Sequence, residues 1–142
     1  MIRHIWSVLC QSASFDAQTN NVSLQNILES IIVFGEPDAA HPAIVQAEIV
    51  SLWARGTIDV PAIGQMQAYY IDPNGNQAPP ITLELNLSQG VFHRTRINIP
   101  GLPLIAKGEY IFRVEYQLQG DNKWVLAATI PLLVLTQQPA QQ

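Results

Sequence analysis

The stretch from Gly108 to Val134, GEYIFRVEYQLQGDNKWVLAATIPLLV, constrains the fold more than any other part of the chain. In its first half Tyr110, Phe112, Val114, Tyr116 and Leu118 alternate with Arg113, Glu115 and Gln117, Ile111 being the exception. A period of two is that of an extended strand with one face buried and one in water. The second half, beyond the turn Gln119–Lys123, is apolar almost throughout. Trp124, Leu126, Ala128, Ile130, Leu132 and Val134 form one face, and Val125, Ala127, Leu133 and Leu135 the other. A sheet in a sandwich has one core-facing side and normally a polar outer side. The last strand therefore needs a second cover, supplied either by a connection such as PGLPLI or by another subunit.

The same period recurs upstream. Ile2, His4, Trp6, Val8 and Cys10 alternate with Arg3, Ser7 and Gln11, and Val45, Ala47, Ile49, Ser51 and Trp53 alternate with Gln46, Glu48 and Val50. QMQAYYID, then Ile81, Leu83, Leu85 and Leu87, then Val91, His93, Thr95, Ile97 and Ile99, give three more strands with one apolar face each. VSLQNILESIIVF fits a helical stripe and a single strand about equally well; its β-branched, aromatic ending favours the strand. DAQTNN, GEPDAAHP and DPNGN read as loops. In the last, Pro73 presets φ while Asn74 and Gly75 tolerate a positive φ, which predicts a hairpin tip. Thr57–Gly64 and Pro100–Gly108 read as connections, each a place where the chain could cross between sheets; prolines in the second keep it out of a central strand. About eight short strands result, with no convincing amphipathic helix. The fold expected is an all-β, two-sheet antiparallel sandwich over residues 1–136, with a polar, frayed tail at 137–142.

Composition agrees with a globular chain of one domain. At 142 residues, 48% hydrophobic and 13% charged, folding can bury about two thirds of the unfolded surface without metal or disulfide staples. The net charge of −4 and the lack of a Lys/Arg cluster argue against nucleic acid. Arg94 and Arg96, on one strand face, read as a solvated pair. One cysteine, Cys10, forms no internal disulfide; it reads as a buried small hydrophobe and points to a reducing cytoplasm. The opening MIRHIWSVLCQSASFD has too short an apolar run for an export signal, and no run is long enough to span a membrane.

Catalytic signatures are not visible. His4, His41 and His93 each stand alone, without the spacing that aims two imidazoles at one metal; His4 and His93 lie on apolar faces and His41 in a loop. No serine elbow appears. An enzyme would need two or more of His4, His41, His93, Asp16, Glu29 and Glu48 to converge, and the expectation is a non-enzyme without cofactor or metal. Trp6 and Trp53 follow inward faces and read as core. The loop end carrying Tyr70, Asp72, Asn74 and Asn76 is the candidate site for a small molecule or carbohydrate.

Two resemblances add to this. G-E-Y-x-F-x-V at Gly108–Val114, followed by a turn and W-V-L-A-A, resembles the last two strands of immunoglobulin-like bacterial domains, though without their cysteine pair and intervening tryptophan. It implies an immunoglobulin-like or jelly-roll-like sandwich and no activity. The opening WSVLCQSASFDAQTNNVSLQNILESI is similar to the N-terminus of a small family of uncharacterised bacterial proteins, from which no activity follows. The function expected is a cytoplasmic interaction or assembly module. Its partner is another protein or a second copy of the chain, met through the face of Val125, Ala127, Leu133 and Leu135.

Overall fold

The computed structural model describes residues 1–138. It is all-β, with no helix and 67% strand, in two sheets that fit a sandwich. There are nine strands: β1 (Ile2–Phe15), β2 (Val22–Ile27), β3 (Ser30–Phe34), β4 (Ala43–Arg55), β5 (Ala62–Ile71), β6 (Ile81–Leu87), β7 (Phe92–Leu104), β8 (Gly108–Leu118) and β9 (Val125–Gln137). One sheet runs β2-β1-β4-β7 and the other β3-β9-β8-β5-β6. The second curls strongly, toward half a barrel. Gln137 ends β9; the remainder of the expected tail, residues 139–142, lies outside the described residues.

The core between the sheets is made by the alternating residues of most strands. Ala47, Ile49 and Trp53 of β4 meet Met66 and Ala68 of β5, Leu85 and Leu87 of β6, and Tyr110, Phe112 and Val114 of β8. Leu132 and Val134 of β9 close it. One-sided alternation in β4, β7 and β8 places the expected residues inward, including His93 and Thr95 across the ladder from Trp53 and Ser51. The tip expected at DPNGN joins β5 to β6; there Asp72 Oδ1 accepts hydrogen bonds from the backbone of Asn74 and Asn76, both at 2.9 Å, and Gly75 supplies a φ of 87°. Gly64 is needed for a different reason, because a Cβ there would collide with the Gln117 carbonyl on β8.

The segment expected as one strand, residues 22–34, is two strands in different sheets. Asn26 takes a φ of 53°, and its amide donates to Gln11 Oε1 at 2.6 Å. That left-handed residue interrupts the β1–β2 ladder, which ends one residue on with Ile27 opposite Cys10; the chain then crosses to the other sheet, where β3 pairs with β9 in parallel, Ile32 beside Leu135. The fold is therefore not wholly antiparallel.

Three bulges correct the faces read from simple alternation. Ile5 is an extra residue in β1 between His4, opposite Trp53, and Trp6, opposite Leu52. Beyond it Ser7 and Leu9 turn inward, while Trp6 and Cys10 turn outward. They join Val50, Ala13, Val22 and Leu24 in a second, smaller cluster on the outer side of the four-stranded sheet. Trp6 is thus not part of the main core. In β7, Pro100 and Gly101 oppose Gln46 alone, so the segment expected as a connection continues the strand to Leu104. Its prolines sit on an edge strand, where a missing donor is tolerated. In β9, Ala127 is the extra residue between Leu126, opposite Glu115, and Ala128, opposite Val114.

Candidate functional site

The bulge at Ala127 decides which side chains of β9 face outward. Leu126 turns to the outer side, contrary to simple alternation, and Ala127 is half-buried against the main core. Trp124 precedes the strand and is half-buried rather than a core residue. Of the four residues expected to make an interface, Val125, Leu133 and Leu135 are exposed, but Val125 lies across from Tyr116, on the core-facing side, at the frayed end of the sheet. Leu133 and Leu135 remain on the outer face. They do not stand alone there, because the parallel neighbour β3 brings Ile32 beside Leu135 and carries Phe34 two residues further on the same side. These four are 42% (Leu133), 45% (Leu135), 55% (Ile32) and 69% (Phe34) exposed. Ile32 and Phe34 escape a reading of sequence alone, since the local pattern gives a single strand and no neighbour. The bending residue Asn26 was the available signal.

The rest of that outer face is mixed, with Leu126 and Ile63 also exposed on it and polar groups in its middle. On β5 and β8, Gln67 Nε2 donates to Glu115 Oε1 at 2.7 Å and Tyr69 donates to Glu115 Oε2 at 3.2 Å. One sheet face thus carries a polar cluster on β5 and β8 and an apolar patch on β9 and β3. Apolar patches of this kind, rimmed by polar groups, are characteristic of surfaces that meet a partner.

The candidate ligand loop has no comparable opening. The Tyr70 ring packs on Phe112, at 5.4 Å between centroids, and on Tyr110, at 6.2 Å. Burial, then Tyr110 and Asp72, push its phenol pKa up. The cavity beside it, of about 50 Å³, is lined by apolar residues including Ile49, Ile97 and Ile99. Asp72 is committed to its own loop, and Asn74 and Asn76 stand exposed at the tip. The four residues do not converge on one pocket.

Nor do the candidate catalytic groups come together. His4 and His93 both face inward but lie on either side of Trp53, on β1 and β7. Glu48 is on the opposite face of the sheet, and Asp16 lies just past the end of β1. Glu29 is in the β2–β3 crossing, and His41 pairs with Asp38 at 3.4 Å in an exposed loop. His4 Nε2 is 2.7 Å from Ser7 Oγ, which is 2.6 Å from the buried Ser51 Oγ. No carboxylate orients the His4 ring among the described residues; its edge contact with Trp53 does so, at 5.0 Å. This chain of bonds satisfies polar groups between the sheets. His93 Nδ1 accepts from the Asn86 backbone at 2.9 Å, again a structural bond. Among the described residues no three His, Cys, Asp or Glu side chains are grouped to hold a metal, and no helix is long and apolar enough to cross a membrane.

Both histidines have their pKa lowered by burial, partly opposed by the Trp6 backbone at His4 and by Glu84 at His93. A base whose folded pKa lies below its unfolded value of about 6.5 binds fewer protons folded than unfolded. Stability is therefore complete above that unfolded value and falls as pH drops below it, through the lowered folded values. The melting temperature is expected to fall between neutral pH and the mildly acidic range. The double variant His4→Gln/His93→Asn should flatten that slope; an unchanged slope would assign the acid sensitivity to other groups.

Arg94 and Arg96 are not a free solvated pair. Arg96 binds Glu48 through both carboxylate oxygens, at 2.6 and 2.9 Å, and both guanidinium groups lie over the Phe15 ring, at 5.1 and 5.5 Å. Arg94 also donates to the Asn20 carbonyl at 2.9 Å. Together they hold the β1–β2 turn down over the second cluster. Cys10 lies in that cluster, fully buried, with its pKa raised by burial and by the Glu48 charge.

No protein-family model matches the chain, and no curated protein is similar to it. Among solved structures, a family 123 glycoside hydrolase from Clostridium perfringens, described in terms of glycolipid glycan hydrolysis, is similar at 14% identity with a TM-score of 0.39. The match covers 82% of this chain but only 24% of that one. A likeness so loose transfers neither fold type nor activity. What the geometry itself defines is a two-sheet all-β protein with an apolar patch on the outer face of β9 and β3.

Proposed function

We propose that this chain is a non-catalytic interaction module that assembles with itself through the outer face of β9 and β3, on a sandwich of the immunoglobulin-like or jelly-roll kind. The single buried cysteine suits the reducing cytoplasm as its place of work. The observation that carries the reading is the apolar part of one sheet face: Ile32, Phe34, Leu133 and Leu135 stand together on neighbouring strands, all more than two fifths exposed, next to a polar cluster in which Gln67 and Tyr69 bond Glu115. Covering such a patch removes apolar surface from water at about 25 cal/mol per Å². A second copy presents the same patch, which is the condition for a closed, twofold interface.

Leu133→Glu tests the proposal. The side chain is exposed, so the variant should stay folded, with a circular dichroism spectrum like the wild type's, while light scattering behind size exclusion shows the assembly reduced to monomer. A variant that assembles like the wild type contradicts the proposal.

A further inference from the structure

The free edge of β3 carries a backbone array that matches itself. Two bonds fix its direction: Leu133 N–H donates to the Glu29 carbonyl at 3.0 Å, and Gly35 N–H donates to the Gln137 carbonyl at 3.0 Å. In a parallel pair the residues of one strand that bond its neighbour alternate. Glu29, Ile31, Val33 and Gly35 therefore turn their backbone groups to β9, and Ser30, Ile32 and Phe34 turn theirs to the open edge. Among the described residues no strand pairs there.

The other three sheet edges are blunted in the ways that prevent strand addition. β7 carries Pro100, Pro103, a bulge, Arg94 and Arg96. β6 follows Pro79 and Pro80 and carries Glu84. β2 carries a left-handed residue, Asn26, one place before its end. β3, SIIVF, has no charge, proline, glycine or bulge. Ile27 and Ile44, both more than half exposed, line the cleft beside it.

We infer that β3 pairs antiparallel with β3 of a second copy, joining two five-stranded sheets into one. This rests on the reading above that the chain assembles with itself, and places a contact between copies at the edge of β3, beside the outer patch rather than over it. A twofold axis through Ile32 sets Ile32 opposite Ile32 of the copy and Ser30 opposite Phe34. These are the residues whose N–H and C=O groups are free, so each pair exchanges both backbone bonds. The same register sets Glu29 opposite Gly35 and Glu36 opposite Leu28, so no two carboxylates meet directly. Phe34 and Ile32 of both copies then lie side by side on the outer face, extending the patch formed with Leu133 and Leu135. An extended strand from a different protein would use the same groups, but nothing in it would be fixed by this chain's own register.

A charge swap on the axis separates the cases. Ile32→Glu and Ile32→Lys each set like charges directly across the pairing, and like-charge juxtaposition of this kind should weaken self-association about a hundredfold or more. Each variant alone should sediment as monomer with a circular dichroism spectrum like the wild type's. Their equimolar mixture should recover the dimer at low salt and lose part of it as salt is added. If both variants dimerise as well as the wild type, the edge pairing is overturned; loss of that dimer in Leu133→Glu would leave the assembly reading standing. If both are monomeric and the mixture stays monomeric, the twofold register is overturned. A wild type that is monomeric at high micromolar concentration overturns both readings and leaves the edge to another protein's strand.

Discussion

Trp53→Ala is expected to destabilise the fold by about 3–5 kcal/mol, the range for truncating a fully buried tryptophan. Trp53 is wholly buried in β4, the strand between β1 and β7. Its ring meets the His4 ring edge-on at 5.0 Å and the Tyr116 ring of the facing sheet at 5.6 Å, so one side chain joins both layers. Its indole N–H donates to Thr95 Oγ1 at 2.9 Å. Truncation opens a cavity, removes two aromatic contacts and leaves a buried hydroxyl without its donor. Urea denaturation should show a lower midpoint with an unchanged slope. Trp124→Ala should cost clearly less than Trp53→Ala, because that ring is only partly buried and lies outside both clusters. Equal losses in the two variants would contradict the assignment of the core.

Arg96→Ala is expected to cost about 2–4 kcal/mol, because it leaves the Glu48 carboxylate without the guanidinium that binds both its oxygens. The value sits below the extreme for a buried pair because the Arg96 side chain is 42% exposed, against 1% for Glu48, and water can reach the vacated position. Removing both charges, as in Glu48→Met/Arg96→Leu, should recover most of that loss, since an apolar pair of similar volume is often as stable as a buried ion pair. A double variant as unstable as Arg96→Ala would show that Phe15 and the β1–β2 turn depend on the charges themselves.

How far the sequence could be read depended on whether a strand kept its period. β4 and β8 hold strict alternation over their length, and their inward residues were legible one by one, from Val45 to Trp53 and from Tyr110 to Leu118. β1 and β9 each contain one extra residue, Ile5 and Ala127, and a single inserted residue reverses every side chain beyond it. For that reason alone simple alternation puts Trp6, Cys10 and Leu126 on the wrong face. Neither bulge has a glycine to mark it. The two-faced apolarity of β9 was visible as a need for a second cover, and Leu133 and Leu135 do face outward. Ile32 and Phe34, the other half of the patch, were hidden because their neighbour is a strand about a hundred residues away in parallel pairing, which no local period encodes. Glu48 read as a polar outward residue; its burial depends on Arg96 and on the fold of the β1–β2 turn, both set by tertiary structure.

The second cover is the central point of the account, and the mass of the protein in solution tests it most directly. Sedimentation equilibrium over a rising concentration series of the wild-type chain should show the weight-average mass climbing from 15.7 kDa toward twice that value. A mass that stays at the monomer value across the whole series would contradict it.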